Sequence, residues 1–268
     1  MLFRSASFSN ACRIFEIFEA LSYAASLQNA QRPLWSNIAD LGSCVWNFAE
    51  ISGMRLSRRA IYLLGGVAAL GGCAYLLMSR WVLGIGFPLD DAWIHQTYAR
   101  NLAQGEGWSF VRGQVSAGST APLWSLLLVG GHWLPGVFFY LWTYLLGWLA
   151  LWATGVLAEI FARGLTPNWR SETPWVGLLV VCEWHLVWAS VSGMETVLAA
   201  LVLMAVLVAA QRECFGLGGA LAGLGCWIRP DVVTMLGPLF FTLLLARRTW
   251  RVAGRSGLRA LVGFGVFF

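Results

Sequence analysis

The stretch 87–110, FPLDDAWIHQTYARNLAQGEGWSF, gathers ionisable side chains in a chain that is otherwise poor in them. Asp90 and Asp91 stand side by side. His95 follows Asp91 by four residues and Arg100 follows Gln96 by four, so each pair shares one side of a helix. Pro88 suits a first helical turn, acids suit the positive N-terminal end, and Gly105 and Gly107 provide a stop; a helix is therefore expected over 89–104. Its narrow apolar edge, Ile94, Tyr98 and Leu102, could rest on a membrane surface. Two readings of the aspartates stand together: they cap this helix, or one carboxylate serves as general base on a hydroxyl while nearby arginines hold a phosphate.

Two further polar spots interrupt apolar sequence. Residues 192–195, SGME, form S-x-x-E ahead of an apolar run, the pattern of a capping box that opens a helix. Arg229 and Asp231 flank Pro230 at the end of another run, where an arginine either snorkels to an interface or lines a polar site. Glu183 and His185 fall inside a third apolar segment, where ionisable groups are costly and point to function; pairing with Arg229, water or a place near the interface would each accommodate them. His132, alone in GGHWLPG, reads as an interfacial side chain. The six cysteines show no CxxC and no zinc-like spacing to histidine. Gly219 and Gly223 make a GxxxG that could let helices approach closely, and GLGGALAGLG at 216–225 matches no phosphate loop.

The elements that must position these groups are membrane helices. The 268 residues are 58% hydrophobic and 12% charged, with mean hydropathy +0.67, against about 25% charged in an ordinary soluble domain. All 18 basic residues are arginines that flank apolar runs instead of forming a stripe, which excludes a nucleic-acid interface. Spans of about 20 apolar residues are expected over 60–79, 137–160, 174–190, 196–211, 215–228 and 232–246, with a seventh run from Ala260. Residues 122–133 are read as a helix lying in the interface, with Trp124, His132 and Trp133 at headgroup level. Leaving residues 1–53 aside, that choice puts eleven arginines on the cytoplasmic side against four outside. The N-terminus is then cytoplasmic, and all three polar spots meet on the extracytoplasmic face of a plasma (inner) membrane. Residues 1–53 are read as an upstream extension, with Met54 before RLSRR as an alternative start, and 54–268 as the membrane module.

The ordered set of an arginine-flanked first span, DDAWIHQTYARNLAQGEGWSF, GSTAPLWSLLL, SGMET and GLGCWIRPD resembles the GT-C membrane glycosyltransferases, over roughly 55–246. Within them it is most similar to terminal arabinofuranosyltransferase-like and protein-mannosyltransferase-like proteins. The resemblance implies an all-α polytopic transmembrane bundle with interfacial helices in its first outer loop. It implies inverting transfer of a sugar from a polyprenyl-phosphate donor to an acceptor hydroxyl of a glycan, lipid or protein. Carried over, Asp90 is the catalytic base and Asp91 a second acid that orients the acceptor or, in metal-using relatives, helps hold a divalent ion. Arg100, Arg112 and Arg229 are the donor-phosphate candidates, and His95, Glu195 and Asp231 belong to the pocket. Related enzymes have about a dozen spans, so the chain is expected to carry the N-terminal catalytic half, with the C-terminal part missing. A transporter or flippase-like protein without chemistry is the alternative; its sites would lie at mid-membrane between repeats.

Overall fold

The computed structural model describes residues 56–266 apart from 83, 85, 134, 167, 169, 170, 236 and 238–249. The expected extension 1–53, Arg55, Arg170, Arg247, Arg248 and most of the expected span 232–246 lie outside the described residues.

The described chain is mostly helical, with nine α-helices and one small hairpin. Helix α1 (Arg58–Val82) begins where Ser57 Oγ accepts the Ala60 amide at 3.2 Å, a side-chain cap on an otherwise orphaned donor. Helix α2 (Asp90–Ala103) leads into β1 (Ser109–Val111) and β2 (Gln114–Val115), an antiparallel pair. Its turn contains Gly113 at φ +74°, a backbone conformation that glycine adopts without strain. Next come α3 (Pro122–His132), α4 (Phe138–Leu165), α5 (Trp175–Cys182), α6 (Trp184–Val191), α7 (Thr196–Gln211) and α8 (Phe215–Cys226). A 3-10 turn (Pro230–Met235) and α9 (Trp250–Gly265) complete the order.

Among the described residues, two helices are long and apolar enough to cross a membrane, α1 with 25 residues and α4 with 28, where about 20 are needed. On α1 the side chains of Leu70, Leu77, Met78 and Trp81 are all more than half exposed. Its opposite side, Leu64 and Ala68, packs with Ala150 and Leu151 of α4, Val181 of α5, Val187 of α6 and Val197 of α7. The indoles of Trp148 and Trp152 on α4 donate to the carbonyls of Gly65 and Ile61, at 3.0 and 2.9 Å. These bonds pin the two long helices side by side.

Helix α3 has 11 residues, too few to cross, and α4 continues alone, as the reading of 122–160 expects. Trp124 differs from its expected interfacial place: it is buried, and its Nε1 donates to the Gly193 carbonyl at 2.9 Å. The third expected span is also split. Glu183 ends α5 and caps α6, its Oε2 accepting the Leu186 amide at 2.9 Å and its Oε1 lying 2.6 Å from His185 Nδ1. Glu183 and His185 thus pair with each other at a helix break and do not reach Arg229. At 16 and 12 residues, α7 and α8 are shorter than a full crossing.

Glu159, near the end of α4, is buried yet fully engaged. Its Oε1 accepts from Arg163 Nε at 2.8 Å, and its Oε2 accepts the Val176 and Gly177 amides at 2.9 and 3.1 Å. One carboxylate therefore caps α5 and neutralises an arginine. The GxxxG of α8 is also used. A Cβ on Gly219 would overlap the Ala260 carbonyl, one on Gly223 would meet the Phe264 carbonyl, and one on Gly263 would overlap the Gly216 carbonyl. Helices α8 and α9 touch backbone to backbone. Helix α9 begins ten residues before the expected run from Ala260.

Candidate functional site

The ends of several helices converge at one side of the assembly. The turn at 192–195 lies against the entry to α2, since a Cβ on Gly193 would clash with the Phe87 ring and sit 3.0 Å from Ala92 Cβ. The Leu123 amide of α3 donates to the Trp227 carbonyl just after α8, at 2.8 Å. Gln96 of α2 donates to Thr143 Oγ1 of α4, also at 2.8 Å. The aspartate stretch, the SGME turn and the RPD break are thereby brought together.

At the centre is a buried polar chain. His95 Nδ1 lies 3.1 Å from Ser125 Oγ and 3.3 Å from Ser119 Oγ, and the two hydroxyls are 2.9 Å apart. On the other side of the ring, His95 Nε2 is 3.4 Å from Glu195 Oε2. Donor and acceptor at Nδ1 follow the tautomer: with the proton on Nε2, facing the carboxylate, a serine hydroxyl donates to Nδ1. The approach to Oε2 is long and poorly aligned, and that oxygen is buried without a hydrogen bond. Glu195 Oε1 lies 3.8 Å from Arg229 Nη1, and Arg229 Nε donates to Asp231 Oδ1 at 3.2 Å. Burial pushes the Glu195 carboxyl up, but His95, the residue's own backbone amide and the Arg229 charge outweigh it and hold the group below the ordinary carboxylate range.

Glu195 is free for this because the capping box does not form. Ser192 follows α6 as its C-terminal cap, with Oγ donating to the Ala189 carbonyl at 2.9 Å, and Gly193 takes φ +83°. A residue in that left-handed conformation cannot be the first of a helix, so α7 starts at Thr196. Glu195 becomes its N-terminal flank and makes no capping bond.

Asp90 and Asp91 occupy the first turn of α2, both exposed, with Leu89 preceding the helix and no side-chain cap. Neither therefore caps the helix as the simple reading of the pair expects; they sit where the helix dipole favours acids. Adjacent helical side chains diverge by about 100°, and among the described residues no group of three His, Cys, Asp or Glu side chains could hold a metal ion. This donor set does not fit a divalent ion, and no step is derived through one.

The three arginines separate. Arg229 joins Glu195, whereas Arg100 and Arg112 lie along α2 and on the hairpin, Arg112 Nη2 donating to Gln104 Oε1 at 3.0 Å. Arg100 borders a cleft of about 300 Å³ between α2 and the corner where α3 meets α4. His132 lines it too, half-buried, stacked on Phe139 with ring centroids 5.3 Å apart and its Nε2 2.8 Å from Gln96 Oε1. Burial and the Arg100 charge lower the His132 pKa; the ring Nε2 donates to the Gln96 carbonyl oxygen, and the Gln96 nitrogen donates in turn to Thr143. Gln96 lies in the aspartate stretch and Ser119 and Ser125 in GSTAPLWSLLL, but nothing in their types or spacing pairs them with His95 or with Thr143.

Comparison with protein-family models, with curated proteins and with solved structures found no match.

Proposed function

We propose that the protein is a membrane glycosyltransferase that moves a sugar from a polyprenyl-phosphate donor to an acceptor hydroxyl with inversion, at the extracytoplasmic face of a polytopic helical bundle. The observation that supports this most is that Glu195 joins His95, on the helix that Asp90 and Asp91 open, to Arg229 of the RPD break, in the order of motifs that resembles the GT-C enzymes.

The chemistry follows from the groups present. Asp90, exposed at the start of α2, accepts the proton of the acceptor hydroxyl as its oxygen attacks the anomeric carbon. The bond from that carbon to the phosphate oxygen breaks, its electron pair stays with the phosphate, and the new glycosidic bond forms on the opposite face. Arg229, half-exposed and fixed by Glu195 and Asp231, offers the positive charge that the departing phosphate needs. Glu195 and His95 position Arg229 and brace α2 from below.

Membranes containing the wild type or Asp90→Asn, incubated with radiolabelled polyprenyl-phosphate sugar, test the reading. Label should reach an acceptor with the wild type and not with the variant. Equal transfer by both would remove Asp90 as the base, and no transfer by either would favour a non-catalytic protein.

A further inference from the structure

Helix α2 has two chemically distinct sides. Asp91 and His95 lie on the side that faces Glu195. Asp90, Trp93, Thr97, Arg100 and Gln104 advance by three and four residues in turn, and so share the other. Four of these five line the cleft, together with Gln96 and Phe139. From Trp93 to Gln104 the helix rises about 16 Å, long enough for more than one sugar ring.

The cleft pairs ring faces with uncommitted polar groups. Trp93 is 40% exposed, and its ring meets that of Phe139 edge to face at 6.5 Å. Among the described residues, the Arg100 guanidinium makes two 3.4 Å hydrogen bonds, both to Asn101 Oδ1. The Gln104 carbonyl is taken by Arg112, while its amide nitrogen has no hydrogen bond among the described residues. The Gln96 amide is held in one orientation by His132 and Thr143. A lipid chain would leave the Gln104 amide nitrogen and the Arg100 guanidinium unpaired when buried, at a cost. A polyanion would call for more than the one arginine that lines the cleft. A hydroxylated ring satisfies both halves: its C–H face rests on the indole, and its hydroxyls bond to the hydroxyl, amide and guanidinium groups.

We propose that this cleft binds the acceptor, and that the acceptor is a carbohydrate, seated on Trp93 and held by Thr97, Arg100 and Gln104. Asp90, one turn beyond Trp93, then stands at the end of the cleft where the reacting hydroxyl arrives. Arg100, with Arg112 behind Gln104, serves the acceptor and not the donor phosphate. The assignment to an acceptor rests on the transferase reading; the binding of carbohydrate does not.

The detergent-solubilised full chain, applied to an array of immobilised mannosides, glucosides, galactosides and arabinosides without any donor, should be retained by at least one class. Gln104→Ala and Arg100→Gln, both at exposed positions, should each weaken that retention about tenfold, the loss of one hydrogen bond to a charged or buried partner. Trp93→Ala should abolish it, and Trp93→Phe should restore part of it. Retention of no glycan class, or retention unchanged in Gln104→Ala and Arg100→Gln, overturns the proposal. Sugar transfer with an unaltered acceptor KM in these variants would also overturn it, and would leave the transferase reading in place. Glycan retention sensitive to these variants, but without transfer activity, would keep the cleft and remove the transferase reading.

Discussion

Glu195 stands between two partners from distant parts of the chain, with His95 Nε2 3.4 Å from its Oε2 and Arg229 Nη1 3.8 Å from its Oε1. It is the joint between α2, α7 and the end of α8. Replacing it with alanine strands a buried imidazole and loosens Arg229, and should cost about 1–3 kcal/mol. Glu195→Gln keeps the shape and loses the charge. In a transfer assay, Glu195→Gln should fall below wild type while its thermal unfolding changes less than that of Glu195→Ala. Equal unfolding temperatures for Glu195→Ala and the wild type would remove Glu195 from this role.

The same carboxylate gives a pH dependence. Its folded pKa lies below the ordinary value of 4.5, so its contribution to stability is complete above pH 4.5 and is lost as the pH falls through the lowered value. Thermal unfolding followed from pH 6 downward should show this loss in the wild type, and Glu195→Gln should reduce it.

His132 acts in a different window. Its folded pKa is lowered from 6.5, which means the unfolded chain takes up a proton first as the pH falls. Stability associated with it is full above pH 6.5 and declines below, down to the folded pKa. His132→Asn removes that titration, so its unfolding temperature should vary less between pH 7.5 and 5.5 than that of the wild type. Parallel curves for the two proteins would contradict the assignment.

Glu159 is predicted to be the most sensitive carboxylate for folding. Glu159→Ala removes the Arg163 partner and both amide bonds at the start of α5, and should cost about 3 kcal/mol or more, readable as a drop in unfolding temperature. Asp90→Asn and Asp91→Asn should each cost under about 1 kcal/mol, since they touch only the helix dipole. A loss of transfer in Asp90→Asn would then not be a loss of fold.

Hydropathy made α1 and α4 legible as long apolar helices, of 25 and 28 residues. The GGHWLPG break separates α3 from α4, and the arginine count, not the break, selected a short helix followed by one long one. The freedom of Glu195 was not legible, since S-x-x-E fits a capping box and only the positive φ of Gly193 prevents one. Trp124 could not be placed from its type, because tryptophan suits an interface and a core alike when its N–H finds a partner. The break at Glu183 was hidden inside an apolar run that hydropathy averages over. The two sides of α2 were implicit in the spacing from Asp90 to Gln104, but only the cleft beside them distinguishes one side from the other.

The glycine seam between α8 and α9 carries a consequence for the far end of α8, where Arg229 stands. Because backbone rests on backbone there, no side chain can yield when a bulkier residue enters, and the whole helix has to move. Gly219→Leu would act as a wedge driven in three turns from Arg229, tilting the guanidinium away from Glu195 without altering a single charged group. Helix α9 is in this sense a backstop: the register in which it meets α8 sets the distance between Arg229 and Glu195.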